Sequence, residues 1–149
     1  MAIDEGSAPD QVRAILAKAK AKIVAAQDPC TMPKAQKNKV EQQGARDAQL
    51  RDGVALSKFL HWLSVEAPKG ILTEADAATR LYKFRQEDAA LLDLSFESIA
   101  AAGPNAAIPH YHLDAQKCLT LKNNSIFLID SGGQYRDGTT DVKIGRAHV

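Results

Sequence analysis

The pattern of hydrophobic and polar positions separates a short N-terminal segment from the rest of the chain. Residues 10–20 have helical spacing and follow a serine and a proline that suit a helix start, and residues 22–26 are typical of a short strand. Residues 28–33 contain two prolines, which interrupt both helical and strand periods. We therefore predict a linker there and a domain boundary near Pro33.

The middle of the chain has the spacing of two helices. From residue 37 to about residue 65, apolar residues recur at steps of three and four positions, which predicts one long amphipathic helix. Thr73 is followed three positions later by Asp76, a pattern that is typical of a helix N-terminus with a carboxylate at its third position. A second helix is therefore predicted over residues 74–87.

After residue 88 the pattern changes to short, β-prone stretches separated by turn residues. Residues 95–100 alternate, and residues 119–121 and 125–130 are further strand candidates on either side of an asparagine pair. Helices followed by a meander of strands predict an α+β fold.

Composition and charge exclude several classes of function. The 149 residues carry 19 Lys and Arg against 18 Asp and Glu, and this balance predicts no strong attraction to nucleic acid or to a membrane surface. The two cysteines, Cys30 and Cys118, are too few for a disulfide scaffold or a thiolate zinc finger. Neither a signal peptide nor a stretch of about 18 apolar residues is present, so we expect a cytoplasmic protein.

Two aspartates are the first candidates for chemistry. Asp130 and Asp141 lie eleven positions apart on either side of a glycine-containing segment, and they converge if the chain folds back there. Converging carboxylates repel each other unless a cation or a shared proton relieves them, and oxygen ligands suit Mg, Mn or Ca ions. The spacing alone is more typical of two solvated aspartates in turns than of metal ligands.

One histidine is the second candidate. His110 precedes Tyr111 in a loop that contains glycine and two prolines. A single histidine beside a tyrosine is more typical of a structural or exposed residue than of a catalytic one. Cys30 and Cys118 have no neighbouring base in the sequence, so neither is predicted to be a nucleophile.

Six blocks of sequence, in order, resemble the catalytic domain of aminopeptidase P, a metallopeptidase with the pita-bread fold shared by methionine aminopeptidase, prolidase and creatinase. The blocks are residues 37–44, 51–55, 59–63, 95–99, 103–111 and 129–142. The resemblance implies that residues 34–142 form the first half of the catalytic domain. Residues 1–33 would then be the end of a preceding α/β domain plus a linker.

The resemblance also implies a reaction and a set of site residues. Asp130 would chelate one of two divalent ions, usually manganese, and Asp141 would bridge both. His110 would lie beside the metals and contact a peptide substrate that has proline at its second position, and the N-terminal residue would be released. Family members are often homodimers. A prolidase-like dipeptidase and a non-catalytic pita-bread binding module are the alternatives, and the two intact aspartates argue against the second.

The chain departs from the family in its metal ligands. The family requires a His and two Glu beyond the position of Asp141, and this chain stops eight residues past it. With two of five ligands, the fragment is expected to bind metal weakly and to be inactive. We also expect the strands that end at Asp130 and near Asp141 to lack neighbours and to promote aggregation.

The last residues have an artificial appearance. After residues 140–142 the family continues with Thr-Arg-Thr, whereas residues 144–149 resemble the translation of a common sequencing adapter. We therefore treat residues 143–149 as a scar, and His148 is given no biological role.

Overall fold

A computed structural model describes residues 1–146 and divides the chain into two compact units, the first of which is Met1–Asn38. Its elements are β1 (Ala2–Ile3), α1 (Asp10–Lys18), β2 (Val24–Ala25) and α2 (Thr31–Ala35). Strands β1 and β2 are parallel neighbours. The predicted linker is wrong in part, because α2 begins at Thr31 and accommodates Pro33 in its first turn, where proline is tolerated.

The second unit begins at Lys39 with a helical hairpin. Helix α3 (Lys39–Glu66) confirms the predicted long helix, and α4 (Glu74–Arg85) confirms the second one. A 3₁₀ turn with a left-handed glycine, Gly70 at φ 70°, ends the first helix. The side chain of Thr73 accepts a hydrogen bond from the backbone N–H of Asp76, whose carboxylate accepts one from the backbone N–H of Thr73, which completes a capping box.

Five short strands follow the helices. They are β3 (Leu91–Leu94), β4 (Ile99–Ala102), β5 (Phe127–Ser131), β6 (Gly133–Tyr135) and β7 (Val142–Arg146). One antiparallel sheet has the order β4-β5-β7, and β3 pairs with β6 in a second. The α+β class is confirmed. The expected lack of neighbours is wrong for the strand that contains Asp130, because β5 is the central strand of its sheet.

Two of the predicted strands differ from the structure, and two further strands, β3 and β6, were not predicted. Residues 95–98 precede β4 rather than belonging to it, because Ser95 uses its hydroxyl to donate to the carbonyl of Thr140 (2.9 Å). Residues 119–121 contribute only an isolated bridge between Thr73 and Thr120. Strands β3 and β6 were not predicted, because Leu-Leu-Asp-Leu and Gly-Gln-Tyr do not alternate over a sufficient length.

The hydrophobic core lies between the helical hairpin and one face of the β4-β5-β7 sheet. Its buried members are Leu56, Phe59, Leu63, Ala67, Ala77, Leu81, Ala100, Ala102, Leu121, Phe127 and Ile129. Side chains alternate along a strand, so Ala100 and Ile129 point to the helices while Ile99 and Asp130 point away from them. We call this second surface the outer face of the sheet.

Strand β7 contains Lys143–Arg146, four of the seven residues for which an artificial origin is predicted. His148 lies outside the described residues. None of the helices within residues 1–146 is both long enough and apolar enough to cross a membrane.

Candidate metal centre

Asp130 lies on the outer face of the sheet. Its register partner on β7 is Lys143, and the Nζ of Lys143 lies 3.2 Å from Oδ2 of Asp130. The Asp130 side chain is 18% exposed, whereas that of Lys143 is 62% exposed. The carboxylate is therefore partly sheltered, and one of its oxygens already faces a cation.

Asp141 lies directly before β7 and is exposed. It stands two positions before Lys143, so the alternation of an extended strand assigns it to the outer face with Asp130. Across an antiparallel pair, such diagonal neighbours lie about 7–8 Å apart at their Cα atoms. The chain thus folds back and brings the two carboxylates to the same end of one face.

The fold-back depends on a glycine. Between β5 and β7 the chain leaves the sheet as a hairpin over residues 133–140, closed by a bridge between Gln134 and Thr139. A Cβ atom at Gly132 would lie 2.0 Å from the carbonyl oxygen of Thr140. Only a residue without a side chain allows this backbone approach, which returns the chain to the sheet just before Asp141.

His110 lies on the same side of the molecule. It lines a cleft of about 210 Å³ whose other lining residues include Leu128 and Lys143, so the cleft adjoins Asp130. The backbone of His110 has a φ of 53°, a left-handed conformation that is uncommon for residues other than glycine. The structure therefore places all three predicted site residues at the outer face and its rim.

The donor set fits part of a divalent-metal site. Two carboxylates offer four oxygens, which are the ligands that Mn²⁺ and Mg²⁺ prefer. Within residues 1–146, however, no group of three or more His, Cys, Asp or Glu side chains is arranged to hold an ion. Asp130 and Asp141 suit a metal as members of a larger ligand set.

Residues 43–144, which include all three site residues, match the profile of metallopeptidase family M24. The chain belongs to the M24 family. Two curated relatives are similar over most of this chain. A protein named Probable Xaa-Pro aminopeptidase P from Talaromyces marneffei is 43% identical over 122 residues, which is 80% of this chain and 19% of that protein. Aminopeptidase P2 of Arabidopsis thaliana is 43% identical over 117 residues, 78% of this chain and 16% of that protein.

Solved structures of M24 proteins have the same fold. The X-prolyl aminopeptidase of Caenorhabditis elegans, described as a cytosolic enzyme with a di-nuclear active site, matches with a TM-score of 0.79 and 37% identity, over 85% of this chain and 21% of that one. The prolidase of Pyrococcus furiosus matches with a TM-score of 0.72 and 17% identity, over 98% of this chain and 43% of that one, which shows the fold alone. The predicted pita-bread class is confirmed, and the chain spans about a fifth of the length of its curated relatives.

A buried ion pair supports β5 and the segment before β7 from the side opposite the outer face. Asp52 on α3 and Arg85 on α4 are both fully buried, and Asp52 accepts from Nε (2.6 Å) and Nη2 (3.1 Å) of Arg85. Asp52 also accepts from the hydroxyl of Thr140 (3.0 Å), and Arg85 donates to the hydroxyl of Ser131 (3.2 Å). Thr140 and Ser131 are the chain neighbours of Asp141 and Asp130. The ion pair therefore fixes the backbone that carries both candidate ligands.

Tyr135 completes this cluster. Its hydroxyl donates to Oδ1 of Asp52 (2.9 Å), and burial, followed by the charge and the hydrogen bond of Asp52, raises the pKa of the phenol well above its ordinary value. The raised pKa keeps the phenol protonated at neutral pH, so it remains a hydrogen-bond donor there. On the inner side of the strands, the carboxylate oxygens of Asp52 accept hydrogen bonds from Arg85, Thr140 and Tyr135.

A second buried carboxylate, Glu74, supports the loop of His110. It is fully buried at the first position of α4 and accepts hydrogen bonds from Asn105 (3.0 Å) and Tyr111 (2.9 Å). Burial, and then the hydrogen bond to Glu74, raises the pKa of Tyr111 to about 12, so its hydroxyl remains a donor at neutral pH.

Sequence reasoning missed both buried carboxylates. Asp52 lies within residues 51–55, one of the blocks that resemble aminopeptidase P, and Glu74 directly follows the helix cap Thr73. The neighbouring sequence does not indicate that either side chain is buried. The available signal was the helical period, because Asp52 lies four positions after Ala48 on the apolar stripe of α3, where a charged residue needs a buried partner.

Proposed function

We propose that this chain is part of a Xaa-Pro aminopeptidase, which releases the N-terminal residue from peptides whose second residue is proline. The observation that carries the proposal is the pairing of Ser131 with Val142, the chain neighbours of Asp130 and Asp141, which sets both carboxylates at one end of the outer face beside the cleft of His110. The names of the relatives at 43% identity support the substrate class.

The two carboxylates would hold two divalent ions, manganese in this proposal, with Asp130 on one ion and Asp141 shared between them. When bound, such ions polarise the scissile carbonyl and lower the pKa of a water molecule to near neutrality. The structure supports this with the partly sheltered position of Asp130 and with the ion pair that anchors Ser131 and Thr140.

His110 would contact the peptide. An imidazole has one ring nitrogen that donates a hydrogen bond and one that accepts, so it can do either at the substrate. Its exposed side chain at the edge of a cleft suits a residue that meets a ligand.

The 149-residue chain itself is proposed to be inactive. Its described residues supply two ligand side chains, and Lys143 competes with a cation for Asp130. We also propose that residues 34–142 are the first half of the catalytic domain, that residues 1–33 end a preceding domain, and that residues 143–149 are foreign to the parent protein. The complete protein is proposed to be a cytoplasmic homodimer that binds neither nucleic acid nor membranes.

A prolidase-like dipeptidase is the second candidate, since solved prolidases share the fold. Assays with a Xaa-Pro dipeptide and a longer Xaa-Pro peptide distinguish the two, because the aminopeptidase cleaves the longer substrate.

The test uses the full-length protein with manganese. Asp130→Ala and Asp141→Ala are expected to lose bound metal and turnover together, whereas His110→Ala is expected to lose turnover and keep its metal. Metal analysis beside a Xaa-Pro peptide assay measures both. An Asp141→Ala protein with a full metal content and normal turnover would contradict the assignment.

A further inference from the structure

We propose that Glu74 is a positioning residue for His110, a role that rests on the proposed function. Glu74 does not line the cleft of His110 and does not reach the outer face. It acts through the loop, because its carboxylate is the point at which both ends of the loop are tied to the helices.

The contacts of Glu74 surround His110 along the chain. Oε1 accepts from the backbone N–H of Ala102 (2.6 Å) and from the side-chain amide of Asn105 (3.0 Å). Oε2 accepts from the hydroxyl of Tyr111 (2.9 Å) and from the backbone N–H of Leu119 (2.9 Å). One buried side chain therefore holds the strand end before the loop, the loop itself and the segment that follows it.

His110 has no such anchor of its own. The side chain makes no hydrogen bond to any other residue in the described range 1–146, and Pro109 and His110 are both exposed. The left-handed backbone of His110 costs free energy that its surroundings have to offset. Tyr111, directly after it, is the nearest residue in the chain that is tied to the protein interior.

The chemistry of the anchor requires a carboxylate. An ionised carboxylate only accepts hydrogen bonds, and all the partners of Glu74 donate. A glutamine of the same shape would turn an NH₂ group toward either Ala102 and Asn105 or Tyr111 and Leu119. Its location at the first position of α4 favours negative charge as well, because the helix dipole is positive there.

The experiment is a double-mutant cycle in the full-length protein, using Glu74→Gln and His110→Ala. Glu74→Gln is expected to lower kcat by about 10- to 100-fold, as a misplaced catalytic contact does, with the metal content unchanged. In the His110→Ala background the same change is expected to have less than a twofold effect, because the group that Glu74 positions is gone.

Asp52→Asn is the matched control, since it makes the same change at the other buried carboxylate. It is expected to lower metal occupancy and to keep its full effect in the His110→Ala background. If Glu74→Gln does not fold, Tyr111→Phe is the second variant, because it removes the hydroxyl that donates to Glu74 and accepts from Asn105 and leaves the carboxylate in place. Its smaller loss of kcat is likewise expected to disappear in the His110→Ala background. Hydrogen exchange of the amides of residues 105–111 is expected to be faster in both variants.

The outcomes separate the two proposals. A wild-type protein that holds two metals and does not cleave Xaa-Pro peptides overturns the proposed function. An active wild type in which the losses from Glu74→Gln and His110→Ala simply multiply overturns the positioning role and leaves the function intact.

Discussion

Two fully buried carboxylates, Asp52 and Glu74, are stabilised in different ways within one domain. Asp52 faces the guanidinium of Arg85 and two hydroxyls, whereas Glu74 accepts its hydrogen bonds from neutral donors. The first supports strands that carry candidate metal ligands, and the second supports the loop that carries a candidate substrate contact. In this domain the strands are therefore held by a buried ion pair, and the irregular loop is held by several directed hydrogen bonds to one acceptor.

The largest expected effect comes from breaking the charged pair. Asp52→Asn leaves Arg85 buried without a counter-ion, and removing one partner of such a pair costs about 3–5 kcal/mol. Denaturant unfolding of the full-length protein, followed by a probe in this domain, measures the change. Arg51→Gln, which breaks the more exposed pair of Arg51 with Asp137, is the control and should shift the unfolding midpoint much less. Equal midpoints for Asp52→Asn and wild type would show that the buried ion pair does not stabilise the domain.

Glu74→Gln should destabilise the domain less than Asp52→Asn does. Glu74→Gln leaves neutral donors without an acceptor, whereas Asp52→Asn leaves a cation without its counter-ion. A buried donor without an acceptor costs about 1–3 kcal/mol. The same unfolding experiment ranks the two variants directly. A larger loss for Glu74→Gln than for Asp52→Asn would show that neutral donors stabilise a buried carboxylate better than a guanidinium does in this domain.

A substitution at Gly132 tests whether the backbone held by the Asp52–Arg85 ion pair tolerates displacement. Gly132→Ala places a Cβ against the carbonyl of Thr140, and such overpacking costs about 1–3 kcal/mol. We expect the metal content to fall with stability, because Thr140 and Asp141 move together. Gly53→Ala is the control, since a Cβ there meets nothing within 4 Å. A Gly132→Ala protein with unchanged metal content would mean that the hairpin tolerates displacement.

The smallest effect is expected at an exposed carboxylate close to Glu74. Hydrogen bonds from Thr73 lower the pKa of Asp76 below its ordinary value. The stabilisation is therefore present above the ordinary pKa of an aspartate and is lost as the pH falls through the lowered one. Asp76→Asn should cost about 0.5–1 kcal/mol at pH 7 and nothing at strongly acidic pH, which unfolding at several pH values measures. A loss that is independent of pH would assign the effect to packing.

Local signals were sufficient for α1, α3 and α4, whereas long-range contacts determine the arrangement of the strands. The capping box of Thr73 and Asp76 spans three residues, and the stripe of α3 repeats every three or four, so both are readable in sequence. The central position of β5 depends on which strands pair, and β6 is too short to show a period. Spacing suggested that Asp130 and Asp141 converge, but it could not distinguish ligands from turn residues.

The supports of the site were beyond sequence reasoning for a physical reason. Asp52 meets Thr140 across 88 residues, and Glu74 meets Leu119 across 45. No sequence periodicity indicates contacts between residues that are so far apart in the chain. A charged residue on an apolar stripe indicates that a partner exists, but only the folded chain shows that the partner is Arg85.

The separation of 88 residues between Asp52 and Thr140 also has a consequence for the order of folding. Asp52 and Arg85 are 33 residues apart on neighbouring helices, so their pairing requires a much shorter loop to close than the contact with Thr140 does. We expect the helical hairpin and its ion pair to form first and the segment that contains Thr140 and Asp141 to dock later, since contacts between distant residues slow folding. The candidate ligand face would then be among the last parts of the domain to become ordered during refolding.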